Sequence, residues 1–164
     1  MKSQNPQFAG FWRRMAAALI DFALVMTLTA PLLFSIYGHA YFRWLFTGFD
    51  LMSTYGSWDL ILTRILPIIG LLLCWRYLGA TPGKMLMSCR IVSRHTRRTP
   101  GLAQALIRLL CYFASSLPLN LGFFWIGWDK QKQGFHDKMA NTLVLYIPHD
   151  YADQSLQELM DEVK

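Results

Sequence analysis

The chain has 164 residues, a length for one domain, and 54% of them are hydrophobic while only 16% are charged, against about 25% charge in ordinary soluble domains. Sixteen lysines and arginines against ten acids leave a net charge of +6. The basic residues flank long apolar runs and five of the acids lie in the last fifteen residues; membrane topology explains that placement, and a nucleic-acid partner is set aside.

Residues 1–10 are polar, with Pro6 and Gly10, and the aromatic Phe8, Phe11 and Trp12 suit a membrane–water interface. From Met15 the chain is apolar for about 22 residues, too long for the ~7–15-residue core of a signal peptide. A retained spanning helix is predicted over about Arg13–Ser35, with Pro31 near its far end. One carboxylate, Asp21, sits inside this run. Arg14 and Asp21 are two turns apart and share a face, with the acid roughly 10 Å deeper. A buried acid in lipid costs at least a few kcal/mol unless it faces protein or water and has a partner.

Residues 37–59 contain Gly38, Gly48 and Gly56 and are rich in aromatics, including Tyr41, Trp44, Tyr55 and Trp58; Arg43 is the single Lys/Arg there. They are predicted to lie in the outer interface. The second apolar run, Leu60–Leu78, is just long enough to span; it carries Arg64, and Pro67 and Gly70 are expected kinks. In Gly79-Ala-Thr-Pro-Gly-Lys84, Thr81 is a helix cap with Pro82 at the first helical position. The spacing is one residue short of a phosphate-binding loop, and Met85 stands where Ser/Thr is needed.

Residues 84–101 hold Lys84, Arg90, Arg94, His95, Arg97 and Arg98 and are the most basic stretch. The positive-inside rule places them in the cytoplasm, together with the N-terminus, and residues 84–98 are expected to contact anionic lipid headgroups. Arg90–Arg94 reads as a strand and Arg97–Gly101 as a turn. The third apolar segment, Leu102–Trp128, is interrupted by Pro118, Asn120 and Gly122, a combination that breaks helices. It spans once or enters and leaves on the cytoplasmic side as a broken hairpin. The hairpin is preferred, because it keeps Lys130, Lys132 and Lys138 inside and lets a second strand, Thr142–Ile147, pair with the first. After Pro148, Leu156, Leu159, Met160 and Val163 recur at helical spacing in an acidic tail.

These motifs together resemble the RDD family of bacterial membrane proteins: Arg13/Arg14 and Asp21 in the first helix, Gly79–Lys84 with Gly83 and Lys84, Arg90-Ile-Val, Arg108, Asp129, and Gln133-Gly-Phe-His136-Asp137 followed by Asn-Thr-Leu-Val. The resemblance runs from about Phe8 to Tyr146. The family is named for one arginine and two aspartates, and these map to Arg13 or Arg14, to Asp21, and to Asp137 with Asp129 as the alternative. It implies a multi-pass bacterial inner-membrane protein with transport of ligands, and in some members sodium/proton exchange.

The fold class expected is therefore all-α integral membrane: two spanning helices, a third broken re-entrant or spanning segment, and a small cytoplasmic two-stranded ribbon. Residues 1–147 form the membrane domain and 148–164 the acidic amphipathic tail. Asp21 is expected to pair with Arg108 at matching depth, with Arg14 nearby and Arg64 as a further intramembrane charge. That pair either handles an ion or proton or ties helices together. His136-Asp137 lacks a nucleophile or a metal-ligand partner set, so an enzyme is not expected. Asp137 is expected to cap a helix over Lys138–Asn141 or to pair with the basic loop. No cofactor or metal motif is present, Cys74, Cys89 and Cys111 are read as apolar filler, and a homo-oligomer is conceivable. Transport or ion handling leads, and a non-catalytic module binding lipid or another membrane protein is the rival.

Overall fold

A computed structural model describes residues 7–47, 54–116, 125–147 and Glu158. Two long helices dominate it. Helix α1, Phe11–Tyr37, has 27 residues and is about 40 Å long at ~1.5 Å per residue. Helix α2, His39–Thr47, follows directly. Helix α3 runs continuously over Ser57–Leu78, 22 residues, about 33 Å. Both α1 and α3 are long and apolar enough to cross a membrane. Their apolar side chains are largely uncovered: Phe22 is 61% exposed, Leu28 62% and Leu66 56%. A core helix of a soluble domain would bury that surface.

Two stretches of α3, Ile61–Ile65 and Cys74–Leu78, are wound as wider π-helical turns. The first ends just before Pro67, whose missing N–H and ring crowd the preceding turn, so the ladder is re-registered there. The helix stops at Gly79, whose φ of 67° is left-handed and is open to glycine at no steric cost. A short helix α4, Pro82–Leu86, is capped by Thr81.

Strand β1 is Gln7–Phe8 and β2 is Cys89–Ser93. Helix α5 covers Leu102–Ser116 and α6 covers Phe135–Met139, with a 3-10 turn at Trp125–Gly127. Strand β3 is Thr142–Tyr146. The sheet has three strands in the order β1-β3-β2, all antiparallel, with Cys89 opposite Tyr146 and Ser93 opposite Thr142. The expected ribbon of two strands thus gains a third. The tight turn through Ala9 and Gly10 lays Gln7 and Phe8 against Tyr146 and Leu145, and Ala9 N donates to Val144 O at 2.9 Å.

The sheet has two apolar faces. Cys89, Ile91 and Val144 pack against Trp75, Ala9 and Ala105, while Val92, Leu143, Leu145 and Ile147 pack with Phe8. Pairing of β2 with β3 brings both ends of the third apolar segment to the same sheet. Gln104 at the start of α5 donates to Ala140 O at 3.2 Å and to Ser93 Oγ at 3.1 Å. The start of α5 is therefore tied to the segment between α6 and β3. Pro118, Asn120 and Gly122, the residues expected to break this segment, lie outside the described residues, as does the acidic tail apart from Glu158.

Candidate functional site

The site forms where α1, α5 and α6 meet under the sheet. Helix α6 begins after Gly134, and Asp137 in its first turn accepts from Gly134 N at 3.1 Å through Oδ2. That satisfies one of the helix's orphan N–H groups. The same oxygen receives Arg14 Nη1, and Oδ1 forms an ion pair with Arg108 Nη2 at 2.6 Å. Asp137 is fully buried, Arg108 is 1% exposed and Arg14 8%.

Each arginine also ties down backbone or side chain elsewhere. Arg14 Nε donates to Ala9 O at 2.9 Å and Nη2 to Lys132 O at 2.5 Å. Arg108 Nη1 donates to Thr142 Oγ1 at 3.3 Å. Gln133 is buried as well, and its Nε2 donates to Thr142 O at 2.9 Å. One carboxylate thus links the first helix, the third apolar segment and the sheet.

Burial would raise the Asp137 pKa, but the Arg108 and Arg14 charges outweigh it and hold the carboxyl well below the usual range. His136 stacks on Tyr112 at 4.3 Å between ring centroids. Burial pushes its pKa down to about 3; Asp137 opposes this and Arg108, Arg14 and Lys84 add to it. It is therefore a neutral imidazole near pH 7. Lys84, on α4, is also buried, and its amine is pushed down chiefly by that burial.

Asp21 is elsewhere. Its Oδ2 accepts from Thr81 Oγ1 at 2.5 Å and its Oδ1 from Gly83 N at 2.6 Å. Thr81 Oγ1 in turn accepts from Lys84 N at 3.4 Å. Asp21 therefore holds the start of α4 against α1, and Gly83 permits the approach: a Cβ there would meet the Ala17 carbonyl oxygen and lie 2.9 Å from Asp21 Oδ1.

The expected Asp21–Arg108 pair is replaced by Asp137–Arg108. Asp137, carried by the return segment at the level of α5's buried face, reaches the guanidinium, and Asp21 is consumed by the Thr81 turn. Asp137 does cap a helix, but one that starts at Phe135 instead of Lys138. It does not pair with the basic loop, where Arg90, Arg94, Arg97 and Arg98 are exposed. Of the adjacent arginines, Arg14 turns inward, while Arg13 lies over the Tyr146 ring at 3.4 Å. Asp129 is not part of the cluster. It binds Lys138 Nζ at 2.6 Å and accepts from Gln131 N and Gln133 N, both at 3.1 Å, shaping the turn before α6. It lines a cleft of about 550 Å³ with Arg94, Lys130, Gln131, Gln133 and Lys138.

Sequence reasoning missed a second polar cluster. Asp59 is 4% exposed and accepts from Tyr41 Oη at 2.8 Å and Tyr55 N at 3.0 Å. Burial, then the Asp59 hydrogen bond and charge, raise the Tyr41 pKa, while the Arg64 charge lowers it. The available signal was an acid in the first turn of an apolar helix, a favoured place for negative charge.

A mostly helical chain with two span-length apolar helices, a three-stranded sheet and a buried Arg–Asp–Arg cluster defines a class of membrane-associated protein. The sequence profile of the RDD family matches residues 8–141, and the chain belongs to that family. It is 32% identical to the uncharacterised protein YckC of Bacillus subtilis over 142 residues, 84% of each chain. It is 35% identical to an uncharacterised protein of Rickettsia prowazekii over 71 residues, 43% of this chain and 39% of that one. Similarity to a proline-rich antigen of Mycobacterium leprae is 26% over 107 residues, 62% of this chain and 40% of that one. The chain spans about two-fifths of the length of the Rickettsia and Mycobacterium leprae relatives it matches. No solved structure matches it.

Proposed function

We propose that this chain is a non-enzymatic, multi-pass module of a bacterial inner membrane, with its N-terminus and sheet on the cytoplasmic side, that binds anionic lipid at that face. The observation that carries the reading is the locked state of Asp137. A carboxylate held between two buried guanidinium groups stays ionised near pH 7 and takes up no proton there, so it acts as a tie between helices and sheet. The exposed apolar flanks of α1 and α3 support insertion in lipid. The exposed Arg90, Arg94, Arg97 and Arg98 support headgroup contact, worth about 1 kcal/mol per charge near the surface. The test is lipid preference of the full chain in nanodiscs. Phosphatidylglycerol should be retained over phosphatidylcholine, and Arg94, Arg97 and Arg98 changed together to Gln should lose most of that preference. Equal retention of both lipids by the unaltered chain would sink the reading.

A second reading, sodium/proton exchange, is favoured by one observation. Asp21 sits inside α1 with a hydroxyl and an N–H as hydrogen-bond partners, and no cation pairs with it among the described residues. An exchanger would release Thr81 and bind Na⁺ or a proton at this carboxylate. In proteoliposomes Asp21→Asn should then abolish sodium-driven proton flux. Flux that survives the substitution in a folded protein, or no flux in the parent, removes this reading.

A further inference from the structure

Buried charge at the sheet end of the molecule does not balance. Arg14, Lys84 and Arg108 are each more than nine-tenths buried, and Asp137 is the buried carboxylate among them. Asp137 is ion-paired with the two arginines and its Oδ2 accepts from Gly134 N, while its Oδ1 accepts no hydrogen bond among the described residues. Arg14 is used up, on Ala9 O, Lys132 O and Asp137. Two buried donors remain around Trp75. Arg108 Nε and Trp75 Nε1 are buried donors without a hydrogen-bond partner among the described residues. No carboxylate lies within ion-pair reach of Lys84 Nζ among those residues.

The three groups share one indole. Lys84 Nζ is 5.5 Å and Arg108 Cζ 5.1 Å from the Trp75 ring centroid. The ring face offsets part of the cations' burial. It does nothing for the N–H groups, whose burial without a partner is unfavourable. An ammonium, a guanidinium N–H and an indole N–H are all donors, and two carry charge. Their complement is an anion with several acceptor oxygens, and a metal cation or a sugar hydroxyl is disfavoured.

We propose that Trp75, Lys84 and Arg108 form a binding site for a phosphate group. Lys84 is the least buried of the three and is the point of access. Met85 and Leu86, which follow Lys84 on α4, are exposed, as are Tyr77 and Leu78 at the end of α3. Exposed apolar side chains following a buried cation match the upper chains and headgroup of an anionic phospholipid, and free phosphate offers the same oxygens. Burial holds the Lys84 amine below its ordinary pKa; an arriving phosphate opposes that shift and favours the ammonium form. The lipid source of this phosphate rests on the membrane reading above; the site itself does not.

The experiment is thermal unfolding of the full chain in nonionic detergent with inorganic phosphate, with phosphatidylglycerol, or with chloride at matched ionic strength. A saturable rise in Tm is expected with at least one phosphate source and not with chloride. A rise with lipid alone assigns the headgroup; a rise with both assigns the phosphate group from either source. Lys84→Met should abolish the rise, yet be at least as stable as the parent without phosphate, because it removes an uncompensated buried amine. Trp75→Phe keeps the ring, loses the donor, and should weaken the apparent affinity about tenfold. The proposal is overturned if neither phosphate source stabilises the parent, or if Lys84→Met is unfolded or weaker than the parent without phosphate, which makes the amine a structural tie. It is also overturned if the rise persists in Lys84→Met. Loss of lipid preference in the Arg94, Arg97 and Arg98 variant, with the Lys84-dependent rise intact, separates the surface reading from this one.

Discussion

Substituting Asp137 by Asn keeps its shape and removes the charge that Arg14 and Arg108 share. Both guanidinium groups are buried, so they are left without a counter-ion, and the loss should be about 3–5 kcal/mol. It is read as a large fall in the denaturation midpoint, with no comparable fall for Asp129→Asn, whose partner Lys138 is 42% exposed. Equal effects of the two substitutions would mean that Asp137 is not the tie. The pH dependence has a sign that can be worked out. The His136 pKa is pushed down to about 3 in the fold, against about 6.5 unfolded. Between those values the unfolded chain binds the proton and the folded one does not, so stability is full above pH ~6.5 and falls as pH drops, by up to ~1.4 kcal/mol per pH unit. Asp137, also depressed, adds loss in the same direction below pH ~4. His136→Phe, which keeps the stack on Tyr112, should flatten the profile between pH 6.5 and 4 and leave the steeper acid limb. An unchanged slope in that window would show that His136 is protonated in the folded state.

At the scale of elements, the contact of α4 with α1 depends on a missing side chain. Gly83→Ala would set a methyl against the Ala17 carbonyl oxygen and Asp21, and should cost about 1–3 kcal/mol by overpacking. Thr81→Ala loses both the cap on Lys84 N and the donor to Asp21 and should cost about 1 kcal/mol. If Gly83→Ala melts like the parent, the close approach of α1 and α4 is wrong. This contact also marks how far the elements were legible. Apolar length alone located both long helices, and β-branched runs located β2 and β3, because those signals are local. Strand β1 has two residues and no periodicity; it exists because Phe8 pairs with Leu145. Thr81 was legible as a cap, but its second role, binding Asp21 sixty residues away, was not. Asp137 was legible as a residue to explain and not as the partner of Arg14, since 123 positions separate them and only tertiary packing of α6 brings them together. Arg13 and Arg14 were indistinguishable by type; helix phase and the position of Ala9 O decide which turns inward.

At the scale of the whole molecule, the sheet constrains the path of the third apolar segment. β2 precedes that segment and β3 follows it, and the two are hydrogen-bonded along five residue pairs. In a membrane, both ends must then emerge on one side, because a strand ladder cannot form across a ~30 Å hydrocarbon core. Irregular backbone at that depth is tolerated only where protein or a water cavity covers it. Single cysteines placed at Arg97 and Lys130, both exposed, in a chain with Cys74, Cys89 and Cys111 replaced by Ser or Ala, should react with a membrane-impermeant maleimide from the same side. A cysteine at Phe46, 84% exposed on α2, should react from the opposite side, since one long helix separates it from the N-terminal strand. Arg97 and Lys130 labelling from opposite sides would require the third segment to cross once, which would break the β2–β3 ladder and separate Asp137 from both arginines.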